Sequence, residues 1–212
     1  MTTPTFEELD KIPFFDWRGI ELDSKELERT EQIQAYKYIE KDDVILELGG
    51  RYGMAAVYAN AKLANKKNHY VVEPDSTVIE ALKKNRDSHY ADFQIFNGYV
   101  SKRPMKLVRE ENPIGLANFS VPVAGEGDAE CKTLDQIKKE TGLQFNTLIA
   151  DCEGFLEQFF DENYPEILSI DKFLFECDCP HRCDYQRICN ILSSYFYTHV
   201  ENSFHQVWIR KS

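Results

Sequence analysis

The segment Val44–Asp75, VILELGGRYGMAAVYANAKLANKKNHYVVEPD, constrains the fold more than any other part of the chain. Val44–Leu48 is a short apolar run suited to a buried parallel strand, and Gly49, Gly50 and Gly53 follow it where a helix must begin. Glycine permits a tight turn and lets a ligand approach the helix N-terminus, whose open N–H groups favour a carboxylate or phosphate. Tyr70–Glu73 reads as the next strand, and Glu73 stands about 20 residues beyond the turn, where an acid takes ribose hydroxyls. A strand, glycine turn, helix and acid-terminated strand in this order specify a cofactor that carries a ribose. Glu47–Gly53 has the form acid-x-Gly-x-x-x-Gly, which departs from the G-x-G-x-x-G dinucleotide pattern.

Strand and helix patterns alternate along the rest of the chain and predict a mostly parallel sheet in one α/β domain spanning 1–212. Residues 1–42 form an N-terminal helical segment, with a helix over Ser24–Glu40 capped by Ser24 and turning Leu27, Ile33, Tyr36 and Tyr38 or Ile39 to one face. Helices are expected over Met54–Ala64 and over Ser76–Ser88, the latter with a Ser cap, and a third strand over Phe93–Asn97. Residues 104–130, broken by Pro104, Pro113 and Pro122 and by the Gly125-x-Gly127 turn, read as a hairpin-like insertion facing the substrate. Then follow a helix over Thr133–Thr141, a strand over Thr147–Ala150 ending in Asp151, a strand over Phe173–Glu176 and a helix over His181–Phe196. Tyr197–Glu201 and Gln206–Arg210 make a closing antiparallel pair.

A formal net charge of −11 argues against a nucleic-acid backbone as the main partner, because that contact needs a basic surface. The start MTTPTFEELDKIPFF lacks a basic, apolar leader, and no apolar run approaches the roughly 20 residues that span a bilayer. The expectation is a cytoplasmic protein with no membrane partner; the oligomeric state is not written in the sequence. Six cysteines in a chain of this length and apolar content read as reduced thiols. Cys177, Cys179, Cys183 and Cys189 gather with His181 in ECDCPHRCDYQRIC and could supply tetrahedral zinc ligands. Their spacing is not the paired C-x-x-C of a zinc ribbon, and Cys is at home in a buried strand as a small apolar residue, so no metal site is expected.

Thr133-Leu134-Asp135 followed by Asp151-Cys152-Glu153-Gly154 resembles the TLD … D-x-E-G signature of FkbM-type methyltransferases, and Glu47–Gly53 is similar to that family's acid-x-Gly-Ala-Asn-x-Gly turn. The resemblance covers Val44 to Glu176. It departs at Ile149, where the family commonly has lysine, at Leu156, where an acid is usual, and at Arg51, which replaces a small polar residue. The compact, tyrosine-rich chain also resembles glycan-modifying members from large DNA viruses. What the resemblance implies is a Rossmann-like class I methyltransferase fold: a mostly parallel seven-stranded sheet with an antiparallel closing strand and helices on both faces. It further implies S-adenosylmethionine as cofactor and a sugar or glycan hydroxyl as methyl acceptor.

The candidate cofactor residues are Glu47, with Gly49, Gly50 and Gly53 under the methionine moiety, and Arg51, whose guanidinium suits a carboxylate. Glu73 is the candidate for the ribose diol, and Asp75, Asn97 and Gly98 flank the adenine. Asp151 is the first candidate for general base or for contact with the cofactor amine, and Glu153 is the second. His181 and His205 are alternative bases, because imidazole titrates near neutrality. Asp151 with Asp178 or Glu176 could hold a divalent ion, an option rather than the expectation. Two other readings stand beside the first. One is methylation of a small amine or phenol in a pocket of Phe155, Phe159 and Tyr164; the other is a silent cofactor- or zinc-binding interaction module.

Overall fold

Short apolar strands buried at all four positions form the middle of the sheet: Ile45–Leu48, His69–Val72 and Thr147–Ala150. Such strands have no solvent face and so lack hydrophobic alternation, as parallel strands do. The computed structural model describes residues 3–109 and 118–211, and the chain divides into two compact units, Met1–Asn97 and Gly98–Ser212. The first contains α1 (Phe6–Leu9), β1 (Phe14–Phe15), β2 (Glu21–Leu22), α2 (Arg29–Tyr38), β3 (Ile45–Leu48), α3 (Met54–Lys62), β4 (His69–Val72), α4 (Ile79–Ser88) and β5 (Gln94–Phe96). The second contains β6 (Gly98–Val100), β7 (Met105–Val108), β8 (Phe119–Pro122), β9 (Glu130–Lys132), α5 (Leu134–Thr141), β10 (Thr147–Ala150), α6 (Leu156–Asn163), β11 (Lys172–Glu176), α7 (Tyr185–Ser194), β12 (Tyr197–Asn202) and β13 (His205–Arg210).

The seven-stranded sheet has the order β12-β13-β11-β10-β3-β4-β5. β3, β4 and β5 run parallel, as do β10 and β11, while β13 is antiparallel to both β11 and β12. This is the expected mostly parallel sheet with an antiparallel closing strand. No helix among the described residues is long and apolar enough to cross a membrane.

In the first unit the helix expected over Ser24–Glu40 is shorter, and Ser24 does not cap it. Asp23 accepts the Lys25 N–H on its side chain and the Glu26 and Leu27 N–H groups on its carbonyl, and Glu28 then enters the left-handed region at φ 50°. The helix therefore starts at Arg29, and its buried side is Gln32, Gln34 and Ala35, while Ile33 is 47% exposed. Gln32 can be buried because its amide donates to the Ser24 and Leu27 carbonyls and its oxygen accepts from Arg29. Ser76 likewise caps nothing: Asp75 takes both the Thr77 N–H and its hydroxyl, and α4 begins three residues later than Ser76, at Ile79.

In the second unit β7 and β8 pair antiparallel, giving the expected hairpin; the part of the 104–130 insertion that includes Pro113 lies outside the described residues. The parallel pairing of β6 with β9 has no counterpart in the sequence reading. Thr133 caps α5 in a reciprocal capping box with Gln136, and Gly142 closes the helix. The helix expected from His181 starts instead at Tyr185, because Asp184 caps it through the Arg187 N–H.

Gly50 is required by close approach, since a Cβ there would lie 2.2 Å from the Val71 Cγ1. Gly50→Ala is expected to lower the unfolding free energy by about 1–3 kcal/mol through overpacking, measured by urea titration. Combining it with Val71→Ala, which removes the clashing methyl, is expected to cost less than the sum of the two single changes.

Candidate functional site

The glycine turn is fastened to the end of β4. The Gly49 and Gly50 N–H groups both donate to the Val72 carbonyl, at 3.0 and 3.2 Å. Arg51 adopts a left-handed φ of 39° and Gly53, which opens α3, one of 81°. That path aims the Arg51 N–H at Glu73 Oε2, 2.7 Å away, and the other oxygen of Glu73 accepts the Asp75 N–H at 2.7 Å. The Asn97 amide donates to the Glu73 and Pro74 carbonyls at 2.8 and 3.1 Å. Arg51, Glu73, Asp75 and Asn97 thus form one cluster. Burial pushes the Glu73 carboxyl up to about 7, against the two N–H donors and the Arg51 charge that favour its ionised form.

Arg51 does not extend from the turn. Its Nη1 reaches Asp75 Oδ2 at 3.3 Å, and the guanidinium lies 5.1 Å from the centre of the Tyr52 ring. Glu47 is the third of the four residues of β3; it is 2% exposed and its carboxylate is 2.7 Å from His69 Nε2. Gly98 is buried at the start of β6, opposite Glu130.

The second unit gathers acids at and just beyond the carboxyl ends of β10 and β11. Carboxylate oxygens of Asp151, Glu176 and Asp178 lie within 4.8 Å of one another, and so do donor atoms of Glu153, Asp178 and Cys179. Tyr185 donates its hydroxyl to Asp178 Oδ1 at 2.6 Å. The Cys179 thiol is 3.3 Å from Glu153 Oε2 and 3.4 Å from Asp178 Oδ2. Glu153 itself sits at a left-handed φ of 51°, a costly conformation for a residue with a side chain. Burial first, then the hydrogen bond and charge of Asp178, push its carboxyl up to about 8. Glu153 therefore keeps its proton near neutrality. The oxygen-rich trio of Asp151, Glu176 and Asp178 has the hard donors that could hold a divalent cation.

The thiols behave differently from a zinc set. Among the described residues, no grouping of three or more nearby ligands brings them together; Cys179 alone joins one, with two carboxylates. Burial pushes the Cys177 and Cys183 thiols up to about 12, which keeps them protonated. His181 is exposed in the turn before α7 and accepts a bond from Arg182 Nε at 3.0 Å. His205 Nε2 is 3.8 Å from Glu176 Oε1, and burial lowers its pKa. Phe159 belongs to the core, whereas Tyr164 is exposed and meets Tyr195 through its hydroxyl, so these two do not join Phe155 in an aromatic pocket.

Tyr185 and Arg182 were not legible as site residues. Tyr185 opens an amphipathic helix and reads as core, and only its hydroxyl reaches the acids. Arg182 reads as a charge in a polar turn, although its guanidinium lies 3.0 Å from the centre of the Phe119 ring on β8.

No protein-family model matches the chain, and no curated protein matches it. Similar solved structures include precorrin-6y C5,15-methyltransferase from Geobacter metallireducens GS-15, at 10% identity over 90% of this chain and 90% of that one, with a TM-score of 0.52. Cofactor-bound Rv0187 from MTB is similar at 10% identity, 87% and 79% coverage and a TM-score of 0.51. An uncharacterized protein from Listeria monocytogenes serotype 4b follows at 9% identity, 85% and 67% coverage and a TM-score of 0.50. At such identities the likeness is one of fold. Together with the strand order, it gives the chain a Rossmann-like methyltransferase fold.

Proposed function

We propose that the chain is an S-adenosylmethionine-dependent methyltransferase that acts on a hydroxyl of a sugar or glycan. The observation that carries this reading is the buried Glu73 carboxylate, bonded at 2.7 Å to the backbone of the glycine turn. Each of its oxygens accepts one N–H and keeps a further lone pair, so the acid can also receive the two hydroxyls of a ribose. The residues of this first-unit cluster therefore fit an adenosyl cofactor, with Glu73 holding the ribose and Asp75 and Asn97 beside the base. The bound cofactor would supply an electrophilic methyl on a sulfonium, whose S–C electron pair returns to sulfur as the acceptor oxygen forms its bond to carbon. The acceptor proton leaves as that bond forms, and a positioned carboxylate can take it. Glu153 lines a cavity of about 310 Å³ and is assigned that role, while Asp151 is the candidate for the cofactor amine. The net charge of −11 favours a neutral acceptor over a nucleic acid.

Calorimetric titration with S-adenosylhomocysteine is expected to show binding, and Glu73→Ala is expected to weaken it at least about tenfold, the scale of lost hydrogen bonds to a charged group. Unchanged affinity in that variant would remove Glu73 from the ribose site.

Glu153 accepts a proton only when ionised, and its raised pKa delays ionisation. With a saccharide acceptor, kcat/KM should therefore climb with unit slope as pH rises through about 8 and level off above it. Glu153→Gln should flatten that limb and lower the rate by about 10²–10⁴, the usual worth of a positioned base. A rise that persists in the variant would assign the proton transfer elsewhere.

A further inference from the structure

A hollow of about 850 Å³ opens in the first unit at the amino ends of its strands, the edge away from the glycine turn and Glu73. Lys41 stands just before β3, Leu63 and Lys66 just before β4, and Tyr90 just before β5; because these strands run parallel, all four come to the same edge and line the hollow. Leu9, Ile12 and Leu63 give it an apolar floor, and Leu9 and Leu63 belong to the core. Its volume is that of a small-molecule site.

The charge around it runs against that of the chain. With a net charge of −11 overall, three lysines line this hollow, Lys41, Lys62 and Lys66, against one acid, Glu8. Glu8 is already engaged, accepting the Thr5 N–H at 2.8 Å. Lys62 holds its ammonium 4.5 Å from the centre of the Tyr36 ring, and Lys41 comes within 3.9 Å of Asp42, both of them exposed. Among the described residues neither Lys62 nor Lys66 has a carboxylate within 4.0 Å. Burial holds the Lys66 pKa below the usual lysine range, against the pull of the Asp92 charge. A half-buried ammonium without an ion-pair partner has given up hydration for nothing in return, and an anion in the hollow would supply the missing partner. His89, also on the wall, has Nδ1 2.7 Å from the Asn85 carbonyl and Nε2 3.1 Å from the Ile12 carbonyl, so its nitrogens are occupied and the lysines are left to meet a ligand.

Tyr90 adds an aromatic face. It follows the C-cap of α4 at a left-handed φ of 55°, a position that helices usually give to glycine. It is 81% exposed, and among the described residues its ring stacks on no other and its hydroxyl makes no hydrogen bond. A bulky side chain in this conformation costs free energy that no packing of the ring repays. A flat ligand seated against the ring would change that.

We propose that this hollow binds an organic anion with an aromatic body, the lysines holding the anionic group and Tyr90 and the apolar floor holding the rings. The site is independent of the proposed methyl transfer. The probe is anilinonaphthalene sulfonate, an aromatic anion, and the control is phenylnaphthylamine, the same rings without the sulfonate; both are titrated into the whole chain and followed by fluorescence. The sulfonate should bind at least about tenfold tighter than the uncharged amine, the scale of one charge-assisted contact. Lys66→Met and Tyr90→Gly should each weaken the sulfonate about tenfold, whereas Tyr90→Phe should bind it as the wild type does. Glycine suits the left-handed backbone, so Tyr90→Gly should keep or raise the midpoint of urea unfolding, and its loss of binding is then not a loss of fold. Excess S-adenosylhomocysteine should leave the probe in place. Equal affinity for the two probes, unchanged sulfonate affinity in both Lys66→Met and Tyr90→Gly, or displacement of the probe by S-adenosylhomocysteine would overturn the site.

Discussion

Burying a carboxylate costs several kcal/mol in desolvation unless donors are supplied, and at Glu73 they come from backbone rather than from side chains. The Arg51 and Asp75 N–H groups each take one oxygen, and both residues belong to turns that would otherwise leave those N–H groups unsatisfied. One side chain thereby fixes the glycine turn after β3 and the turn that leads from β4 to α4. Arg51 stands in the left-handed region at this same turn. Gly50 is what lets the turn lie this close to β4, because the Val71 side chain fills the space a Cβ would need. A bound diol would add to an anchor already made.

Much of this unit was legible because its signals are local. The apolar run, the three glycines and the acid after the second strand stand in fixed order, and the structure brings Arg51, Glu73, Asp75 and Asn97 together as one cluster. The two misplaced helix starts have a common cause, which is competition between neighbouring polar groups. Ser24 and Ser76 each look like a helix cap, yet Asp23 and Asp75 lie one residue earlier; their side chains take the Lys25 and Thr77 N–H groups, and their carbonyls take the N–H groups that follow. Each Asp makes a turn that pushes the helix start downstream. The buried face of α2 was misread for a different reason. Gln32 looks like solvent-side polarity, but two carbonyls of the preceding turn satisfy its amide and make it cheaper to bury than its neighbour Ile33 would suggest.

In the second unit Asp151, Glu153 and Asp178 could be named from sequence, but their coupling could not. Parallel pairing of β10 with β11 sets Ala150 beside Phe175, and the chain just beyond each strand then carries its acids to within 4.8 Å. Residues separated by more than twenty positions become near neighbours only through that register. Tyr185 and the Cys179 thiol add donors that hold Asp178 and Glu153 in place, and burial does the rest, keeping a proton on the group at neutral pH.

Helix α6 shows how a core face and a cavity wall share one element. Leu156, Phe159 and Phe160 fix its rotation by packing, which leaves Glu157, Gln158 and Asp161 no choice of direction. The family resemblance expects an acid at the position of Leu156, and in this chain that position is buried; the acids stand at Glu157 and Asp161, on the other stripe. Arg187, reaching from α7, bonds both carboxylates and so orients them. Leu156 is the apolar residue that the core side of this helix requires. The acids of this helix stand one and five positions further on, and a guanidinium from the neighbouring helix sets their direction.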